Sequence, residues 1–162
     1  MGSCGVAPYS SNVFYLYDAD SKTLTIKGNG AIRDYASAAE APWSNCDVEK
    51  ITIDGGITRI GEYAFASSEL IAFYGEKVRE VWAGAFKDCR ALTYVELGNN
   101  LFRLEDEAFA GCPNLRTITL PSNLREIGKD VFKNTPVTVK CERDSNAYTY
   151  CMENGIPVEC WD

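Results

Sequence analysis

Histidine is absent from this chain of 162 residues, and that one fact removes a group of mechanisms. Ser-His-Asp and Cys-His nucleophilic catalysis, His-ligated zinc and His-based pH switching all need an imidazole. The groups left to do chemistry are 7 Cys and 23 Asp+Glu. The cysteines contain no C-x-x-C pair, so zinc-ribbon and thioredoxin-type readings lose their main support. Their odd number means that at least one thiol is free or pairs outside the chain. Among the carboxylates, Glu105-Asp106-Glu107 forms a cluster, but its residues read as a loop. Glycosidase chemistry needs two carboxylates at a fixed separation across a cleft. Asp18 and Asp20 lack the Gly and Glu of a calcium loop and read as turn residues. Gly28-x-Gly30 lacks the third Gly and the following helix of a dinucleotide site. We therefore expect no cofactor, no metal and no enzymatic activity. A formal net charge of −7 leaves no basic footprint for nucleic acid. No apolar run approaches the ~20 residues that cross a bilayer as a helix.

What positions these residues is a repeat. Four segments share one pattern: Ile57-Thr-Arg-Ile60-Gly61-Glu-Tyr-Ala64-Phe65, Val78-Arg-Glu-Val81-Trp82-Ala-Gly-Ala85-Phe86, Leu101-Phe-Arg-Leu104-Glu105-Asp-Glu-Ala108-Phe109 and Leu124-Arg-Glu-Ile127-Gly128-Lys-Asp-Val131-Phe132. The Phe positions step by 21, 23 and 23 residues, and Trp43, 22 residues before Phe65, fits the same slot. After the aromatic comes a polar or small turn, then Cys46, Ser68, Cys89 or Cys112, then a short alternating strand such as Leu92-x-x-Val95-x-Leu97 or Leu115-x-x-Ile118-x-Leu120. A unit of ~22 residues cannot bury its own apolar side, but stacked units make one continuous core. Repeat phase alone accounts for Cys46, Cys89 and Cys112 as small buried side chains.

The motif Leu-x-x-[Ile/Val]-x-Leu followed by apolar-x-x-Ile-Gly-x-x-Ala-Phe-x-x-Cys, best kept at Leu92–Cys112 and Leu115–Phe132, resembles the BspA-type leucine-rich repeats of bacterial and protist surface proteins. The resemblance covers roughly residues 41–160. It implies an α/β repeat architecture, a right-handed solenoid of about five coils, on a secreted or surface-anchored protein. Cys4-Gly5, Leu24-Thr-Ile26-x-Gly28-x-Gly30 and Ala41-Pro42-Trp43 resemble the segment that precedes the repeats in this family.

Both ends depart from the repeat, as capping requires. Val13–Tyr17 and Thr23–Ile26 alternate around the turn Asp18–Lys22 and predict a β-hairpin. Residues 1–40 are thus read as an N-terminal hairpin cap, with 1–3 resembling an expression leader. Residues 41–136 hold the repeats, and 137–162 form a closing strand-helix-strand coil. In that coil Val137–Cys141 and Ile156–Cys160 are strands, and Asp144-Ser145 caps a helix over Ala147–Asn154. A shift of 19 residues aligns Cys141 with Cys160 on neighbouring parallel strands, ~4.8 Å apart and within the disulfide window. A Cys141–Cys160 bridge is predicted, with Cys151 as a rival partner, two reduced thiols as the alternative, and Cys4 as the unpaired cysteine.

Two groups could form a binding surface. On the outer side of the main strands, one column is Lys50, Ala72, Tyr94 and Thr117, and the next is Thr52, Tyr74, Glu96 and Thr119. Tyr74, Tyr94 and Glu96 cluster there, and an aromatic with a polar tip suits a protein or glycan contact, although Tyr and Thr also simply favour strands. The second group is Trp82, where two other units carry Gly61 and Gly128, and Phe102, where the other units carry Thr58, Arg79 and Arg125. Large outward apolar residues mark a contact patch when contiguous; packing against arginine stems is the alternative. Arg59, Glu80, Arg103 and Glu126 should form a solvated salt-bridge ladder. The expected function is a non-catalytic, adhesion-type binding module, secreted or at the cell surface. Its partner would be a host or bacterial surface protein or glycan, and the chain would be a monomer. The alternative is a structural spacer or stalk of a larger modular protein.

Overall fold

A computed structural model describes Gly2–Ser3 and residues 12–162; Cys4 lies outside the described residues. The repeat becomes a stack of coils, each placing one strand on each of two sides in parallel with its neighbours and then turning back. The strands, in chain order, are β1 (Gly2–Ser3), β2 (Val13–Asp18), β3 (Thr23–Gly28), β4 (Gly30–Ala31), β5 (Lys50–Ile53), β6 (Ile57–Ile60), β7 (Ala72–Gly75) and β8 (Glu80–Val81). They continue with β9 (Tyr94–Leu97), β10 (Arg103–Leu104), β11 (Thr117–Thr119), β12 (Glu126–Ile127), β13 (Thr138–Glu142), the helix α1 (Asn146–Glu153) and β14 (Val158–Trp161).

The first sheet runs β1-β2-β3-β5-β7-β9 and the second β4-β6-β8-β10-β12, while β11-β13-β14 form a third. Strand period 2 sends alternate side chains inward. In the first sheet Leu24, Ile51, Phe73 and Val95 lie in register across four parallel strands, all facing the core. In the second, Ile60, Val81, Leu104 and Ile127 do the same. The expected hairpin is present as β2 and β3, paired from Val13–Gly28 to Asp18–Thr23. β3 serves twice, because its other edge pairs in parallel with β5. At its end Gly28 has φ +109°, and a Cβ there would sit 1.9 Å from the Asn12 carbonyl oxygen, so only glycine fits the turn.

The aromatic slot forms a column through the core. Ring centroids are 5.3 Å apart for Trp43–Phe65, 5.5 Å for Phe65–Phe86, 5.0 Å for Phe86–Phe109 and 6.0 Å for Phe109–Phe132. Trp43 thus takes the expected slot, and its indole N–H donates to the Ala64 carbonyl at 2.8 Å. Each Phe is bracketed by left-handed residues two positions either side: Tyr63 and Ser67, Gly84 and Asp88, Glu107 and Gly111, Asp130 and Asn134. This geometry turns the backbone so that the N–H groups of 63, 65 and 67 donate to the carbonyls of 83, 85 and 87. Those of 84, 86 and 88 donate to 106, 108 and 110, and those of 107, 109 and 111 to 129, 131 and 133. The third side of the solenoid is therefore a hydrogen-bonded ladder built of turns.

The cysteine slot does more than save space. The Cys89 thiol donates to the Phe65 carbonyl at 3.1 Å, and Cys112 to Phe86 at 3.2 Å. Thr135, in the same slot one coil on, donates to Phe109 at 2.6 Å. Each of these three clasps the coil before it. At the C-terminal end β13 and β14 are parallel, with Val139 opposite Val158 and Cys141 opposite Cys160. The helix is capped by Ser145, whose hydroxyl accepts from the Tyr148 N–H at 3.2 Å.

Candidate functional site

The outward side chains of the first sheet stand in the expected rows. Lys50, Ala72 and Tyr94 are register partners, as are Thr52, Tyr74 and Glu96. The Tyr74 and Tyr94 rings lie 5.3 Å apart, inclined at 41°. The Lys50 ammonium is 5.1 Å from the Tyr74 ring centre, a cation–π contact. The Tyr94 hydroxyl donates to the Glu96 carboxylate at 3.3 Å, and burial together with that carboxylate raises the Tyr94 pKa. One cation, two rings and one carboxylate therefore form a linked group on an otherwise threonine-rich face. Tyr94 is its more accessible ring, with 46% of its surface exposed.

Beside Tyr94 the sheet opens. Down the stack, Glu49 donates to Lys22, Ile71 to Glu49 and Thr93 to Ile71; the series skips Arg116 and resumes with Thr138 donating to Arg116. No ladder joins β9 to β11, which end two separate sheets. The gap is a slit of about 170 Å³ lined by Thr93–Leu97 and Thr117–Thr119. Its two ends are tied, by the Asn114 amide donating to the Arg90 carbonyl at 2.6 Å and the Asn123 amide donating to Asn99 at 2.9 Å. Thr117 and Thr119, the last members of the two rows, stand across this slit from Tyr94 and Glu96. Spacing gave no sign of it, since the step from Tyr94 to Thr117 is 23 residues and that from Ala72 to Tyr94 is 22.

Trp82 and Phe102 are not brought into one patch. Phe102 bonds at the level of Arg79 and Glu105 at the level of Val81. The two aromatics therefore sit at opposite ends of adjacent short strands, about 10 Å apart along the strand direction. Trp82 lies flat under the Arg59 guanidinium, 3.9 Å from its ring centre, and its N–H donates to Glu80 at 2.8 Å. Phe102 has the Arg79 and Arg103 guanidinium groups 5.6 and 5.9 Å from its ring. Both are half-buried, so the packing against arginines that the sequence offered as an alternative is what the structure displays.

The charged column Arg59-Glu80-Arg103-Glu126 is in register, but its pairing is uneven. Arg103 reaches Glu126 at 2.9 Å, Glu80 at 3.6 Å and Glu105 at 3.7 Å, whereas Arg59 reaches Asp34 at 3.5 Å. The acidic cluster is likewise occupied by neighbouring coils. Glu105 accepts from the Ala83 N–H at 3.3 Å, Asp106 from the Lys129 N–H at 2.8 Å, and Glu107 pairs with Lys87. A depression of about 670 Å³ beside them includes Glu62, Glu105 and Glu126. A further cavity of about 360 Å³ opens between the first two aromatic slots, lined by Trp43, Cys46, Val48, Phe65 and Ser68. There the clasp is missing, because the Ser68 hydroxyl donates to its own coil's Phe65 carbonyl at 2.8 Å. Cys141 and Cys160 are both thiols in this structure, Cys141 buried and Cys160 half-exposed. Burial raises the Cys141 pKa, and the Cys160 thiol adds to the effect. Cys151 on α1 is buried and pushed up to about 12, mainly by desolvation, with Cys141 and Cys160 contributing.

A stack of parallel coils with leucine, isoleucine and phenylalanine ladders, closed by a capping helix, defines a leucine-rich-repeat solenoid. The BspA type leucine rich repeat region matches residues 38–151 in six copies, and the chain belongs to that family. No curated protein matches it significantly. Among solved structures, a leucine-rich repeat protein from Eubacterium ventriosum ATCC 27560 is 25% identical with a TM-score of 0.74, the match covering 94% of this chain and 38% of that one. The chain thus spans well under two thirds of that protein's length. The T. pallidum leucine rich repeat protein, TpLRR, shares the fold at 17% identity and a TM-score of 0.60, over 84% of this chain and 71% of that one. A leucine-rich repeat protein from Bacteroides capillosus ATCC 29799 does so at 23% identity and 0.59, over 88% and 99%. Membership points to a repeat module for protein interaction. Among the described residues no helix is long and apolar enough to cross a membrane.

Proposed function

We propose that this chain is a non-catalytic, adhesion-type binding module, secreted or displayed at a cell surface, which holds a protein or glycan partner on the outer face of its first sheet. The observation that carries the reading is the linked group Lys50, Tyr74, Tyr94 and Glu96, placed on a flat face by strand register. A pair of aromatics held by a cation on one ring and a carboxylate on the other is a good anchor, because little entropy is lost on contact. The carboxylates that would be needed for hydrolysis are instead largely used to join coils. The Arg59–Trp82 stack favours a second reading, in which the repeat is a spacer within a larger surface protein and the second sheet is purely structural.

The test is a screen of the purified chain against host and bacterial surface proteins and glycans, repeated with Tyr74→Ala, Tyr94→Ala and Trp82→Ala. The first two should weaken binding about tenfold or more, and Trp82→Ala should leave it nearly unchanged. A partner that binds all three variants equally would refute the outer-face assignment and favour the spacer reading.

A further inference from the structure

We infer that the slit between β9 and β11, together with the Tyr94 ring at its lip, is a subsite for a neutral glycan. The inference rests on the outer-face reading above and names the ligand class.

The slit interrupts a parallel sheet, so the facing edges of β9 and β11 carry backbone donors and acceptors that no ladder uses. Unpaired strand edges ordinarily attract another strand. A strand does not fit here. An inserted strand would need about twice the 4.8 Å strand spacing, and the Asn114–Arg90 and Asn123–Asn99 bonds tie the two coils together at both ends of the gap. What fits a pocket of about 170 Å³ is a small group that both donates and accepts along its edge. A sugar hydroxyl does both from one oxygen.

The rim has the same character. Thr117 and Thr119 line the slit with hydroxyl-bearing side chains and Glu96 with a carboxylate, while the Thr93 hydroxyl is turned to the Ile71 carbonyl at 3.3 Å. Lys50 supplies a donor one strand beyond Tyr74. Tyr94 offers an exposed ring against which the C–H face of a pyranose can lie. The paired charges Lys50 and Glu96 leave the patch without a net sign, and the chain as a whole carries −7, so an uncharged sugar is favoured over an acidic one. A protein partner would need about 800 Å² on this side with a central apolar anchor cluster, whereas the Tyr74–Tyr94 pair is bordered by Thr52, Ala72, Thr117 and Thr119.

The test is an NMR titration of the full chain with short neutral oligosaccharides of glucose, mannose, galactose and N-acetylglucosamine, beside a panel of non-glycosylated extracellular proteins. At least one oligosaccharide should shift the Tyr94–Leu97 and Thr117–Thr119 amides. Tyr94→Ala and Thr119→Val should each weaken that binding by about tenfold, with thermal unfolding unchanged because both positions are exposed. No oligosaccharide binding, or binding that moves other amides, overturns the glycan subsite. Capture of a non-glycosylated protein that Tyr94→Ala abolishes would also overturn it while upholding the outer-face function. Failure of sugars and proteins alike would overturn both.

Discussion

Truncating Phe86 to Ala should cost more than truncating Phe132, and the difference follows from the ring column. Removing a buried Phe side chain costs about 3–5 kcal/mol in lost transfer energy and cavity. Aromatic pairs contribute about 0.5–1.5 kcal/mol each beyond area. Phe86 touches three rings, Phe65 at 5.5 Å, Phe73 at 4.7 Å and Phe109 at 5.0 Å, whereas Phe132 has the Phe109 ring alone at 6.0 Å. Two extra pairs put Phe86→Ala about 1–3 kcal/mol above Phe132→Ala, near the top of the range against its lower end. Coils touch only their neighbours, so a break in the middle also uncouples the two halves. Urea unfolding followed by circular dichroism gives the energies. Trp43 fluorescence, read in a variant lacking Trp82 and Trp161, reports the N-terminal half. Phe86→Ala should show Trp43 and circular dichroism transitions that no longer coincide. A cost for Phe132→Ala equal to or above that for Phe86→Ala would refute the nearest-neighbour reasoning.

Cys112→Thr should be tolerated and Cys112→Ala should cost about 1 kcal/mol, since Thr135 already makes the same clasp in the next coil; equal unfolding midpoints would show that only size matters. Gly111 has φ +70°, and a Cβ there would lie 2.2 Å from the Asp88 carboxylate, so Gly111→Ala should destabilise by about 1–2 kcal/mol, whereas Ser67→Gly, at the equivalent turn, should be neutral or stabilising by calorimetry. Cys89 and Cys112 are pushed up to about 11 and about 12 by burial. A raised folded pKa means that their contribution is complete below the unfolded value near 9 and is lost as pH rises through 11–12. Stability should therefore fall over that window, less so in Cys89→Ser/Cys112→Thr. Under oxidising conditions we propose that Cys141 bridges Cys160, stabilising by about 3 kcal/mol; tryptic mapping that finds Cys151 joined to either, or both thiols still alkylatable, would refute the pairing.

Periodic features were legible because many coils state them at once. The aromatic slot, including Trp43, the inward ladders and the alignment of Cys141 with Cys160 all follow from counting. The helix came within one residue at each end, since Ser145 is a strong cap and Gly155 a strong stop. The left-handed brackets were hidden because Tyr63, Glu107 and Asp130 occupy positions where glycine would have announced them. The role of β3 in the parallel stack was obscured by its hairpin partner. The phase set Trp82 on the outside, but only the neighbouring coil's Arg59, one strand away, decides that it lies flat. The slit had no readable signal, because the step across it, 23 residues against 22, lies within the variation of the other steps.

The turn ladder on the third side has a direction. In an ordinary sheet, N–H and C=O groups alternate along each edge and their dipoles cancel. Here all nine bonds point the same way, each coil giving protons to the next and receiving them from the one before. The peptide dipoles therefore add along the solenoid axis, with the positive end at the C-terminal cap, the reverse of the polarity of an α-helix. The next donors in phase there are the N–H groups of Asp130, Phe132 and Asn134; Tyr150 lies beside them, its hydroxyl accepting from the Val131 N–H at 3.2 Å, where the earlier coils make a turn bond. On this side a coil can therefore be added in one orientation only, and at the first coil two of the acceptors are already taken, Glu62 by the Tyr35 N–H and Ala64 by the Trp43 indole N–H.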